Sequence, residues 1–268
     1  MSPAFEFSPA LPASLALEAR PNGVWVVTLN RLEKRNALDD STIGGLEQLF
    51  ANLPNEVRAI VLRGTGGHFC AGLDLTALGA QPVASRIERS RLWHRAFERI
   101  EFGRVPVIAA LEGAVIGGGL ELACAAHIRV ADASVFYGLP EGQRGIYLGG
   151  GGSVRLPKLI GVANMMDMML TGRIYDAQSG HTSGISQYTV ASGQALGKAL
   201  ELAEATSRNA ELTNFAVMHA LPRIAGSSNP ESGYLLEALM SAIAQGEPEA
   251  QHRLAEFLAH RAGKVTRP

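Results

Sequence analysis

The chain has 268 residues and balances 24 lysines and arginines against 25 aspartates and glutamates, a formal net charge of −1 that offers no electrostatic footprint for nucleic acid or an anionic membrane surface. Hydrophobic residues make up 47% and no apolar run reaches the roughly 18 residues needed to cross a bilayer, so a membrane span is excluded and a sizeable globular core is expected. Seven histidines without ligand spacing and two isolated cysteines, Cys70 and Cys124, form no metal or disulfide pattern, which leaves no expected metal and points to a reducing, cytoplasmic compartment.

Met1 to Ser14 carries Pro3, Pro9 and Pro12 and no basic cluster ahead of an apolar stretch, so residues 1–14 are expected to form a flexible leader. Behind the turn signal Pro21-Asn22-Gly23, the β-branched and aromatic run Val24 to Leu29 predicts a strand. Ile43, Leu46, Leu49, Phe50 and Leu53 then recur at helical spacing, with Asp39, Asp40 and Ser41 available as cap and first-turn residues. Ala59 to Arg63, closed by Gly64, predicts a strand buried on both faces. Ile87, Leu92, Trp93, Phe97 and Ile100 predict a helix across Ser85 to Glu101, ending near Gly103.

Val107 to Leu111 repeats the buried-strand pattern and runs directly into the glycine-rich segment Gly113 to Gly119 and a helix-like stretch, Leu120 to Ala125. A strand that delivers its C-terminal end to a glycine turn and a helix N-terminus is a common way to build a site in an α/β layer. Ile128 to Ala131 and Ser134 to Tyr137 predict short strands, and Ser153 to Ile160 and Ala163 to Leu170 predict helices. Beyond Gly193 the apolar stripes are helical, so an α/β core over 15–195 and a helical C-terminal region over 196–268 are expected.

The chemistry is concentrated in the glycine clusters: Cys70-Ala71-Gly72-Leu73-Asp74, then Gly117-Gly118-Gly119-Leu120-Glu121, then Leu139-Pro140-Glu141, then Gly149 to Gly152. With Asn30 to Leu38 before them and Leu170-Thr171-Gly172-Arg173 after them, their order and spacing resemble the crotonase (enoyl-CoA hydratase/isomerase) superfamily. The resemblance implies a crotonase-type α/β fold, a β-β-α spiral with a helical C-terminal oligomerisation region, and a homotrimer or dimer of trimers. It also implies that an acyl-CoA thioester is held with its carbonyl on two backbone N–H groups, assigned by motif matching to Ala71 and Gly118.

Glu121 and Glu141 match the acid/base glutamates that hydratases of this family carry, and two carboxylates flanking one water can add it across a conjugated double bond. The resemblance therefore implies an enoyl-CoA hydratase that needs no separate cofactor, coenzyme A being part of the substrate. By the same matching, Lys34, Arg35, Ala37, Ala71, Gly72 and Asp74 are candidate CoA contacts, and Phe257, in the last helix, could close the CoA site of a neighbouring subunit. Acyl preference is expected to depend on the wall between Thr76 and Arg91 and around Tyr147.

Three rivals stand beside the hydratase: a hydratase-lyase acting on an aromatic enoyl-CoA, an isomerase, and a non-catalytic CoA-thioester or RNA-associated protein of the same fold. The complete glutamate pair argues against an isomerase, and the net charge of −1 argues against an RNA-associated role. In one departure from the family pattern, Ser179 to Ile185 lacks the usual alanines and glutamates of a helix and is expected to be a longer loop.

Overall fold

The computed structural model describes residues 11–77, 79 and 81–259, so the expected leader lies outside the described residues through position 10. The described part of the leader is anchored on the first helix, where Thr42 Oγ1 donates to Ser14 Oγ at 2.8 Å.

The larger sheet has six strands in the order β1-β2-β3-β4-β6-β9. They are β1 (Leu15–Ala19), β2 (Val24–Leu29), β3 (Ala59–Gly64), β4 (Val107–Leu111), β6 (Ile128–Asp132) and β9 (Tyr188–Val190). β1 pairs antiparallel with β2, and the other neighbours are parallel. A smaller sheet holds β5 (Ala114–Ile116), β7 (Phe136–Gly138) and β8 (Tyr175–Asp176) in the order β5-β7-β8. Successive pairs, β4 then β5 and β6 then β7, divide between the two sheets, which gives the chain its β-β-α spiral.

The period of two along each strand separates two cores. Trp25, Val27, Leu29, Ile60, Leu62, Ala109 and Leu111 face the cluster built with α1 (Asp40–Ala51), α2 (Val83–Glu101) and α3 (Gly118–Ala125). The alternate residues Val24, Val26, Ala59, Val61, Ile108 and Ala110 face Ala195, Ala199 and Ala203 of α7 (Ala195–Ser207). Small residues on α7 let the helix lie close on the strands, and enlarging fully buried Ala199 to leucine would cost about 1–3 kcal/mol through overpacking.

Because α7 caps the second face of the sheet, the first compact unit runs through Ser207, and the division falls at Ser207–Arg208 rather than at 195–196. The second unit is helical: α8 (Glu211–Phe215), a π-helical stretch (Ala216–Ala220), α9 (Leu221–Ala225), α10 (Pro230–Gly246) and α11 (Pro248–Leu258).

One local expectation is corrected, and one strand carries no local signal. The segment expected as a loop is α6 (Ala177–Ser183): the Asp176 side chain accepts from Ser179 N at its start, and Gly184 closes it with a φ of 95°. β1 was not singled out in the sequence, since Leu-Ala-Leu-Glu-Ala has neither β-branched nor aromatic residues and is held by its pairing with β2. Among the described residues no helix is long and apolar enough to cross a membrane.

Candidate active site

The motifs that carry Glu121 and Glu141 meet because β5 and β7 are paired parallel neighbours. Ile116 is in register with Gly138, and Gly117 N donates to Gly138 O at 2.9 Å. The chain leaves β5 into Gly117 and α3, which carries Glu121, and leaves β7 through Leu139-Pro140 to Glu141. Gly117 has φ 52° and ψ −121°, a backbone region that side-chain-bearing residues rarely enter, and a Cβ there would overlap Glu141 Oε1.

The segment Cys70 to Asp74 is clamped from both sides. Cys70 bridges to β5, accepting from Ile116 N and donating to Ala114 O, while Gly72 O accepts from Leu38 N and Asp74 N donates to Leu38 O, each of these last two at 2.8 Å. In extended backbone, successive peptide groups point to opposite sides. With Gly72 O and Asp74 N turned to Leu38, the N–H of Leu73 is turned the other way, toward Gly118: a Cβ on Gly118 would lie 3.4 Å from the Leu73 nitrogen.

This geometry corrects the expected donor. The Ala71 N–H is bonded to Arg35 O at 3.0 Å and Ala71 does not line the cavity, whereas the N–H groups of Leu73 and Gly118 have no acceptor among the described residues. Gly118 opens α3, so its N–H also sits at the positive end of a helix. The signal for Leu73 was present one residue beyond Gly72, but the sequence does not encode which N–H faces inward.

Leu73, Gly118, Glu121 and Glu141 line one cavity of about 320 Å³, with Arg86, Arg89, Ser90 and Trp93 of α2 and residues 145–150 completing its wall. Both glutamates are buried. Glu121 Oε1 accepts from Gly150 N at 2.9 Å and from Gly152 N at 2.8 Å. Burial raises its carboxyl pKa, while those backbone bonds and the Arg155 charge oppose the rise.

Arg155 was not foreseen. It is buried, donates from Nη1 to Gly150 O at 3.0 Å and from Nε to Glu101 Oε2 at 2.6 Å, and so fixes the loop that holds Glu121. Burial, aided by the Glu121 charge and opposed by Arg144, pushes the Glu141 carboxyl up to about 7. Its Oε2 is buried with no hydrogen-bond partner among the described residues. One carboxylate is therefore held rigidly and the other is poised to change protonation near neutrality, the arrangement required of a paired base and acid.

The residues expected to contact CoA have distinct surroundings. Lys34 and Arg35 are exposed beside a 3₁₀ turn (Leu32–Lys34), and Ala37 is buried with its carbonyl accepting from Arg31 Nη1 at 2.7 Å. Gly72 is buried between Cys70 and Leu73. The Asp74 carboxylate is turned inward: it accepts from Thr76 and from Arg31 Nη2 at 2.8 Å and lies 3.7 Å from Lys34 Nζ. Hydrogen bonds from Thr76 and Arg31 hold it well below the usual carboxylate range.

Asn36, also missed, has φ 60° and ties this turn to the neighbouring loop through Thr65 O at 2.9 Å and His68 O at 2.8 Å. Phe257 lies on α11 in the second unit, 48% exposed.

Comparisons with known proteins agree with this architecture. A family profile described as Enoyl-CoA hydratase/isomerase matches residues 19–262. Enoyl-CoA hydratase EchA19 of Mycobacterium tuberculosis is 36% identical over 211 residues, 77% of this chain and 79% of that protein. The peroxisomal fatty acid beta-oxidation multifunctional protein AIM1 of Arabidopsis thaliana is 38% identical over 200 residues, 71% of this chain, which spans 27% of that longer protein. A crystal structure from Rhodopseudomonas palustris, provisionally named an enoyl-CoA hydratase, superposes with a TM-score of 0.90 at 54% identity, covering 92% of this chain and 95% of that one.

Proposed function

The chain belongs to the enoyl-CoA hydratase/isomerase family and has the crotonase fold, and from that premise we propose that it adds water reversibly across the 2,3 double bond of a trans-2-enoyl-CoA to give a 3-hydroxyacyl-CoA. The observation that carries this reading is the meeting of two acceptor-free N–H groups, Leu73 and Gly118, with two buried carboxylates of different character in one cavity.

In this reading the thioester oxygen takes both N–H groups, which stabilise the enolate-like charge of the transition state and are worth on the order of 3 kcal/mol each. Glu121, fixed by Gly150 and Gly152, holds and deprotonates the water that attacks the β-carbon. Glu141 shares that water and delivers a proton to the α-carbon on the same face. Retention of both glutamates favours water addition over double-bond migration.

Lys34, Arg35, Ala37 and Gly72 are proposed to contact CoA, with Asp74 acting through the turn it pins. Exposed Tyr234, Leu235, Leu239 and Ile243 of α10 and Leu254 and Phe257 of α11 support a homotrimer or dimer of trimers, in which Phe257 would reach a neighbouring CoA site. Light scattering on the purified chain tests the assembly, and a monomer at working concentration refutes it.

The decisive assay follows loss of the conjugated-enoyl absorbance with short, long and aromatic 2-enoyl-CoA thioesters and identifies products by mass. A product heavier by one water is expected, and Glu121→Gln and Glu141→Gln should each cut turnover by at least about 100-fold with substrate still bound. Binding without conversion of any thioester would remove the hydratase reading.

A further inference from the structure

One wall of the cavity is a single face of α2. Arg86, Arg89, Ser90 and Trp93 follow the helical spacing of neighbours on one face, and all of them line the cavity. Trp93 marks the end of this row nearest the proposed thioester site, since a Cβ on Gly118 would lie 2.7 Å from its Cζ3. Arg89 and Arg86 lie earlier in the helix, about 6 and 10 Å from Trp93 along its axis at about 1.5 Å per residue. Helical side chains lean toward the N-terminus, which carries both guanidinium groups away from Gly118 along the Thr76 to Arg91 wall on which acyl preference is expected to depend.

These groups are unlike the lining an alkyl chain requires. The Arg89 side chain is 13% exposed and is oriented by Asp40, whose carboxylate accepts from Nε at 3.0 and 3.1 Å. Arg86 lies on the exposed rim and pairs with no carboxylate among the described residues. Among the described residues the only carboxylates in the lining are Glu121 and Glu141, to which the hydratase reading gives the reaction. An arginine in a partly dry wall is matched best by a planar anion that takes two of its N–H groups at once.

We propose that the cavity accepts 2-enoyl thioesters whose acyl chain ends in a carboxylate, with Arg86 as its counter-ion and Arg89, held by Asp40, and the Ser90 hydroxyl as further donors. This rests on the hydratase reading for the reaction, while the anion subsite itself is a matter of binding.

The test compares hydration of hex-2-enedioyl-CoA, the monothioester, with that of hex-2-enoyl-CoA, identical in length but without the second carboxylate. A kcat/KM ratio of at least about tenfold in favour of the dicarboxylic thioester is expected, the effect of about 1.4 kcal/mol of added binding, and it should reside in KM. Arg86 is exposed, so Arg86→Gln keeps the core intact and should bring the ratio close to one, while Arg86→Lys should recover part of it. A wild-type ratio at or below one, or a ratio unchanged by Arg86→Gln, overturns the proposal.

Calorimetry with adipoyl-CoA and hexanoyl-CoA, which have no double bond to hydrate, separates the two readings. Tighter adipoyl-CoA binding, with neither enoyl thioester converted, supports the anion subsite and removes the hydratase reading. Equal binding of the two sinks the subsite whatever the activity.

Discussion

The backbone N–H of Gly152 donates to Glu121 Oε1 at 2.8 Å across 31 residues of sequence, so the glycine loop ahead of α4 (Gly152–Ile160) fixes one oxygen of a buried carboxylate. A Cβ at Gly152 would sit 2.8 Å from Glu121 Cγ and 3.0 Å from Oε1. Gly152→Ala should therefore displace the carboxylate and lower kcat by about 100-fold, the cost of roughly 1 Å of misplacement, with a much smaller change in KM. Steady-state kinetics would contradict this if kcat fell less than about threefold while the variant remained folded.

Glu141 sets the pH dependence. With its carboxyl pushed up to about 7, the protonated form that hydration requires is lost as pH rises through neutrality, and kcat/KM for hydration should fall on that alkaline limb. The apparent value belongs to the glutamate pair, because the Glu121 charge contributes to the shift. Glu141→Gln should remove the limb from the residual activity. A wild-type profile flat from pH 6 to 9 would exclude Glu141 as the proton donor.

The same shift governs stability, with a sign opposite to that of most carboxylates. Between the unfolded value of 4.5 and about 7 the folded chain keeps a proton that the unfolded chain has released, so this group's contribution declines as pH rises through that window. Glu141→Gln should therefore raise the melting temperature relative to wild type at pH 8, by about 2–4 °C for each kcal/mol regained, and by less at pH 5. Equal changes at both pH values would show that the buried charge carries no penalty.

Leu73 and Ala71 can be separated by replacing their backbone amides with esters through α-hydroxy acid incorporation. At Leu73 the loss of the N–H should cut kcat/KM by about 100-fold or more, as for a single oxyanion donor. At Ala71 the replacement removes only the bond to Arg35 O and should cost about 1 kcal/mol of stability, leaving most of the turnover. The reverse ranking in parallel kinetics and melting curves would restore Ala71 as the donor.

Asp74 joins two segments of the site, binding Arg31 from one and Thr76 from the other. Asp74→Asn should lower stability at pH 7 by about 2–3 kcal/mol, as expected for charged hydrogen bonds and a covered ion pair. Since the folded carboxyl titrates below the unfolded value of 3.8, this stability is present above that value and is lost as pH falls through the folded pKa. Urea titrations at pH 7 check the magnitude, and a loss below about 0.5 kcal/mol would show that the pair is dispensable.

Much of the α/β unit could be read from local pattern. Val24 to Leu29, Ala59 to Arg63 and Val107 to Leu111 form strands where the β-branched and apolar runs placed them, and Asp39 caps α1 as its position implied. The misses have a common cause. β1 and α6 lack strong intrinsic signals: β1 is held by pairing with β2, and α6 by the Asp176 cap, the Gly184 terminus and burial of Ala177 and Gly180.

By itself the sequence determined the α/β alternation, because periodicity and caps are properties of neighbours along the chain, while Glu121 and Glu141 were reached through the family resemblance that their motifs carry. Only the tertiary structure decided that the Leu73 N–H faces Gly118 while that of Ala71 is taken by Arg35, that Arg155 braces the loop holding Glu121, and that Arg86 and Arg89 share a cavity wall. The direction of a peptide N–H is fixed by what its neighbours pair with, here Leu38 on one side and β5 on the other, and those partners come from remote parts of the chain.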